Sequence, residues 1–139
     1  MANLKEIEGV GEAYALKLKE TGIATTDELL EKGATQKGRK EIAVRSGISD
    51  ALILEWVNHI DLFRVKGVGP EYADLLEEAG VDTIPQLAQR KADHLLEKMT
   101  AVNKTKKLGR PEVLRRLPTL NQVEGWIRQA KELPRVIKY

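Results

Sequence analysis

Apolar residues recur along this chain at intervals of three and four positions. This spacing places their side chains on one face of an α-helix. The β-branched residues occur singly within the same spacing, so no segment alternates as a strand does. The pattern predicts an all-α fold of short helices. Its two clearest stripes are Leu52, Ile53, Trp56, Val57, Ile60 and Val123, Trp126, Ile127, Ala130.

Glycine, proline and hydroxyl residues divide this pattern into separate helices. In the first half, a helix over about residues 37–45 stops at Ser46-Gly47, and Ser49 caps a longer one over residues 50–64. In the second half we predict a helix over residues 93–101, followed by a polar loop at residues 103–107. The remaining start signals are Thr25 or Thr26, Pro70, Thr83, Pro111 and Thr119.

The first half of the sequence returns in the second half. At an offset of 58 residues, ten of the 25 positions from Ile7 onward are identical, and the offset grows to 70 at Trp56 and Trp126. Such self-similarity marks a structural repeat. We therefore predict two repeats, over residues 1–64 and 65–139, packed as one compact unit, with an insertion in the second near residues 101–110.

The charge of the chain is nearly balanced. Its 139 residues include 23 basic and 21 acidic ones, and it has no cysteine. The missing cysteines exclude disulfides and thiolate metal sites. No apolar run approaches the roughly 18 residues of a membrane span, so we expect no membrane partner and a cytoplasmic protein. Basic residues cluster between residues 104 and 116, which fits either a solvated surface or a phosphate-facing patch.

Both repeats begin with the same short glycine motif. Gly9-Val10-Gly11 and Gly67-Val68-Gly69 each begin two residues after an apolar residue and run straight into a helical pattern. This arrangement predicts a tight turn that leaves the backbone N–H groups at the start of the next helix open. Such helix starts attract anions, because unpaired donors and the helix dipole act together.

These residues resemble the helix-hairpin-helix superfamily. Its hairpin has an apolar residue two positions before the Gly-apolar-Gly motif, and an alanine and a leucine after it. Here these residues are Ile7, Ala15 and Leu18 in the first repeat and Val65, Ala73 and Leu76 in the second. The first repeat also resembles the small domain at the front of RadA-type recombinases. Nearly the whole chain resembles a bacterial family of paired helix-hairpin-helix repeats without an assigned activity, so the resemblance indicates a fold more than a function.

The superfamily resemblance implies non-enzymatic DNA binding that is largely independent of sequence. Backbone N–H groups of the glycine turns would contact phosphates, and basic side chains would add to the attraction. The predicted residues are Gly9, Val10, Gly11, Gly67, Val68 and Gly69, helped by Lys66, Arg64, Lys37, Arg39, Lys40, Lys104, Lys106, Lys107 and Arg110.

Two acidic residues oppose this prediction. Glu12 and Glu71 lie just past the turns, where DNA-binding hairpins often have lysine or arginine. A carboxylate there interacts with the helix dipole and competes with phosphate for the same donors. Either hairpin is therefore open to a purely structural interpretation, and the alternative function is a protein-interaction adaptor with the same fold.

The sequence offers no pattern for catalysis, for a cofactor or for a metal. His59 and His94 have no second ligand at suitable spacing, and the Gly-x-Gly motifs lack the preceding strand of a nucleotide-binding loop. Trp56 and Trp126 occupy equivalent places in the two repeats. We interpret them as core anchors rather than platforms for stacking bases.

Overall fold

A computed structural model describes residues 3–7, 9–109 and 116–139, except for the side chains of residues 104–109. These residues form eight α-helices after a short 3₁₀ helix at Leu4–Glu6, with no β-strand among them, and the predicted all-α fold is confirmed. The helices are α1 Glu12–Glu20, α2 Thr26–Gly33, α3 Gln36–Ser46, α4 Asp50–Leu62, α5 Pro70–Glu78, α6 Ile84–Ala88, α7 Ala92–Gly109 and α8 Leu120–Glu132. None of the described helices is long and apolar enough to cross a membrane.

The helices divide into two compact units. The first unit comprises Met1–Asp61 together with Arg135–Tyr139, and the second comprises Leu62–Pro134. The last five residues thus pack with the first half of the chain. In that packing the N–H of Lys138 donates to the carbonyl oxygen of Ala34 at 2.7 Å, and Ile137 is buried.

The first unit has the core that its apolar stripes predict. Leu18, Leu29, Ile53 and Trp56 are buried, and α3 packs against both α1 and α2. Helix starts follow the local rules, because Thr25, Thr35 and Ser49 each accept a hydrogen bond from an N–H three residues later. At the end of α3, Gly47 adopts the left-handed conformation, as the predicted stop requires.

The second unit repeats this plan with a longer third helix. Its core includes Leu76, Leu87, Leu95 and Trp126, and α8 packs against α6 and α7. Thr83 and Thr119 each form a capping box with a glutamine. These contacts tie the short α6 and the long α8 to one core.

Two sequence predictions about helix ends were wrong. The predicted loop at residues 103–107 is helical, because α7 continues to Gly109. These residues are polar, but the segment from Ala92 to residue 108 contains neither glycine nor proline, so nothing in it stops a helix. The helix predicted over residues 50–64 ends at Leu62, whose carbonyl oxygen accepts from the N–H of Val65. The helix predicted to start at Pro111 lies outside the described residues.

Candidate nucleic-acid interface

The two glycine turns have the same backbone geometry. Gly9 has a φ of 91° and Gly67 a φ of 94°, a left-handed conformation that residues with a Cβ rarely adopt. In each turn the following valine donates its N–H three residues back, from Val10 to Ile7 and from Val68 to Val65, at 3.1 Å in both. The valine side chains are buried. The amides of Val10 and Val68, predicted as phosphate donors, are therefore already used to close the turns.

Helices α1 and α5 begin differently from their neighbours. Their N-cap residues, Gly11 and Gly69, are extended and make no side-chain cap hydrogen bond. Five other helix starts in the described residues have a serine or threonine cap: Thr25, Thr35, Ser49, Thr83 and Thr119. Among the described residues, no oxygen accepts a hydrogen bond from the N–H of Gly11 or Gly69. Both turns thus present uncapped helix starts, although Pro70 has no N–H to offer at the first position of α5.

An indole lies beneath each turn. A Cβ added to Gly67 would lie 3.0 Å from Trp126 Nε1, and one added to Gly9 would lie 3.8 Å from Trp56 Nε1. Each tryptophan also packs on a tyrosine in the helix that follows the glycine turn. These tyrosines are Tyr14 in the first unit and Tyr72 in the second, and the ring centroids are 5.1 Å apart in both pairs. Both tryptophans are buried, so the core-anchor interpretation is confirmed.

Gln129 holds the second turn from α8. The N–H of Lys66 donates to Gln129 Oε1 at 2.9 Å, and Gln129 Nε2 donates to the Lys66 carbonyl oxygen at 3.3 Å. A single side chain therefore satisfies both backbone groups of the residue before Gly67. Sequence reasoning missed Gln129, because it lies 63 residues from Lys66 and no local pattern links the two.

Replacing Gln129 by alanine is expected to loosen the second turn without unfolding its unit. Two solvent-exposed hydrogen bonds would be lost, and we expect about 1 kcal/mol of lost stability and roughly five- to tenfold faster amide exchange at Lys66. Exchange measured by NMR on the intact chain tests this expectation. Gln122→Ala is the matched control, since Gln122 caps the start of the same helix and does not contact Lys66. Equal rates of amide exchange at Lys66 in the two variants would contradict a role of Gln129 in holding the second turn.

Charges around the turns differ between the two units. In the first unit Glu12, next to the turn, forms an ion pair with Lys5 at 3.3 Å, and both side chains are exposed. In the second unit Lys66 and Glu71 are exposed on either side of the turn. An exposed ion pair contributes only about 0–1 kcal/mol, so Lys5 holds Glu12 beside the turn weakly.

Two of the predicted basic contacts are structural. Arg39 is 5% exposed, and its guanidinium donates to the carbonyl oxygens of Gly33 at 2.9 Å and Lys138 at 2.8 Å. Arg64 donates to the carbonyl oxygen of Pro134 at 2.7 Å. Both arginines donate to backbone oxygens of their own unit, whereas the sequence predicted them as residues that help phosphate binding.

The remaining predicted cations lie elsewhere. Lys37 and Lys40 are exposed on α3. Lys104, Lys106 and Lys107 lie on the last part of α7, where side chains are not described, and Arg110 falls outside the described residues. The structure therefore brings Lys66 to a glycine turn, and Lys37 with Lys40 to one helix face.

Two carboxyl groups outside the turns have shifted pKa values. The Ala24 N–H, which donates to Glu28 Oε1 at 3.1 Å, lowers the pKa of Glu28 at the start of α2. Burial, and then the charge of Glu77, raises the pKa of Asp82 before α6. Among the described residues, no three His, Asp or Glu side chains are grouped as a metal site requires.

Taken with these turns, the eight helices of the described residues define an all-α protein built from two related units. Within that class, residues 8–133 match a family described as a domain of unknown function, DUF4332. Because the match covers most of the chain, the protein belongs to this family. No curated protein and no solved structure matches it.

Proposed function

We propose that this protein is a pair of helix-hairpin-helix repeats that binds DNA through its phosphates, without reading the sequence and without catalysis. One observation carries the proposal. The two helices that follow glycine turns start with Gly11 and Gly69 and lack the side-chain caps found at the five Ser- or Thr-capped starts. Their first-turn amides are therefore left for solvent or for a ligand oxygen.

The chemistry of these helix starts suits a phosphate. Each start combines unpaired N–H donors with the positive end of a helix dipole, which is equivalent to about half an elementary charge. Gly11 and Gly69 have no side chain, so a phosphodiester backbone can approach the amides closely. Exposed Lys66 adds positive charge next to the second turn. Contacts of this kind position a protein on nucleic acid but do not distinguish bases.

Gly11 and Gly69 also provide a test that leaves the fold intact. Their φ values of −86° and −95° are ordinary for alanine, and a Cβ at either position would meet no heavy atom within 4 Å. We expect Gly11→Ala combined with Gly69→Ala to weaken binding to duplex DNA about tenfold at roughly 50 mM salt, because methyl groups obstruct the donors. Fluorescence anisotropy measures the binding, and circular dichroism checks that the helices remain.

Charge reversal supplies the second arm of this experiment. Lys66→Glu should weaken DNA binding. It should also reduce the slope of the logarithm of the binding constant against the logarithm of salt concentration by about the amount that one phosphate contact contributes. Lys91→Glu alters the net charge equally at an exposed site outside the turn and serves as the matched control. Duplex, single-stranded and branched DNA should be compared in the same titration. Absence of binding to all three by the unmodified protein would rule out the proposal.

The alternative of a protein-interaction adaptor is favoured by a different observation. Arg39 is buried and donates to two carbonyl oxygens of its own unit, so its charge does not face solvent as the sequence suggests. In that case Glu12 and Glu71 would mark hairpins that no longer meet phosphate. A protein that fails to bind DNA but retains a specific protein partner would fit this alternative.

A further inference from the structure

The outer face of α3 combines one exposed apolar residue with several exposed charged residues. Val44 is 84% exposed, which is the highest value among the large apolar side chains in the described part of the chain. On the opposite side of the helix, Arg39 and Ile42 are buried in the first unit. Helix α3 is thus anchored by one face and presents an apolar residue to solvent on the other.

Three cations surround this valine. Lys37, Lys40 and Arg45 are exposed on α3, against a single exposed anion, Glu41. Together with Gln36 and Val44, these four residues form one continuous open surface along the helix. The methylene stems of the two lysines and the arginine extend the apolar surface around Val44, while their charges form a positive rim.

We propose that this face of α3 binds an acidic amphipathic helix of a partner protein. An apolar side chain of the partner would cover Val44, and its carboxylates would pair with Lys37, Lys40 and Arg45. Eleven residues of helix offer a face about 16 Å long, which matches three turns of a partner helix. The face shares no residue with either glycine turn.

The exposed valine is what favours a peptide over nucleic acid. A phosphate backbone would pair with the lysines and the arginine but offers no apolar group to cover Val44. An amphipathic acidic helix satisfies both parts of the surface, and complementary charge speeds and directs its approach. Lys37 and Lys40, predicted from sequence as DNA contacts, are therefore assigned here to a protein partner.

The test uses the full chain and two synthetic probes. One is a fluorescent helical peptide of about 18 residues with glutamates on one side and leucines at three- and four-residue spacing. The other has the same glutamates, with serine at each leucine position. We expect the leucine peptide to bind at least fivefold more tightly than the serine peptide. Val44→Ser should weaken binding of the leucine peptide at least fivefold and leave binding of the serine peptide unchanged. Lys37→Glu combined with Lys40→Glu should weaken binding of both peptides.

Leu16→Ser is the matched control, because Leu16 is 57% exposed on α1 of the same unit and lies outside the α3 face. It should leave both peptides unaffected. Equal binding of the two peptides, or an equal effect of Leu16→Ser and Val44→Ser, would overturn the proposal. A labelled DNA duplex whose binding falls with the lysine reversals but not with Val44→Ser, in the absence of peptide binding, would instead identify the face as a phosphate surface.

Discussion

Gly38→Ala is expected to destabilise the first unit by about 3 kcal/mol, although alanine normally favours a helix by roughly 0.5–1 kcal/mol over glycine. Gly38 lies in the first turn of α3, where its missing side chain allows the helix to approach the end of α2. A Cβ there would overlap the backbone oxygen of Lys32 and would lie 3.1 Å from Thr35 Oγ1. Backbone cannot move aside as a flexible side chain does, so α2 and α3 would have to separate.

The measurement can assign the loss to one unit. The chain has two tryptophans, with Trp56 in the first unit and Trp126 in the second. Fluorine-labelled tryptophan therefore gives one resonance for each unit during urea unfolding. In Gly38→Ala the Trp56 resonance should show unfolding at a lower urea concentration than in the unmodified chain. The Trp126 resonance reports the second unit separately.

Gly125→Ala provides the control for Gly38→Ala. Gly125 lies inside α8, and an added Cβ would meet no atom within 4 Å. This variant should gain about 0.5–1 kcal/mol from helix propensity alone. If Gly38→Ala were as stable as the unmodified chain, the inference that α3 approaches α2 too closely for a side chain at residue 38 would be wrong.

The sequence predicted the features that depend on neighbouring residues. The glycine turns, the threonine caps at Thr83 and Thr119, and the helix stop at Gly47 depend on conformations that a few adjacent residues determine. The sequence left the cap of α2 open between Thr25 and Thr26, and the structure has Thr25. The repeat strengthened these predictions, because each turn appears twice at the same spacing. The paired tryptophans followed from helical periodicity in the same way.

Long-range contacts were not predictable from such patterns. Arg39 contacts a carbonyl 99 residues away, and Arg64 contacts one 70 residues away. An arginine has the same local sequence whether its guanidinium meets solvent or a carbonyl oxygen that is distant along the chain. The DNA-contact prediction therefore included two arginines that bond to carbonyl oxygens of their own units. For the same reason no local pattern indicated the contact between Gln129 and Lys66.

Arg39→Met is expected to cost the first unit about 2–4 kcal/mol, because the carbonyl oxygens of Gly33 and Lys138 would lose a charged donor inside the protein. Methionine fills much of the space but donates nothing. Loss of the Lys138 contact should also release residues 135–139, which would appear as faster amide exchange at Lys138, now bonded to Ala34. Urea unfolding and exchange by NMR measure the two effects.

Arg39→Lys distinguishes a buried structural role from an attraction to phosphate. Lysine keeps the positive charge, but its single ammonium cannot reproduce the planar fork that reaches two carbonyl oxygens, so we expect it to recover less than half of the lost stability. A role in phosphate attraction would give the opposite result, with DNA affinity kept in Arg39→Lys and stability unchanged in both variants. Lys37→Met is the control on the same helix. It removes an exposed charge and should change stability by less than about 0.5 kcal/mol.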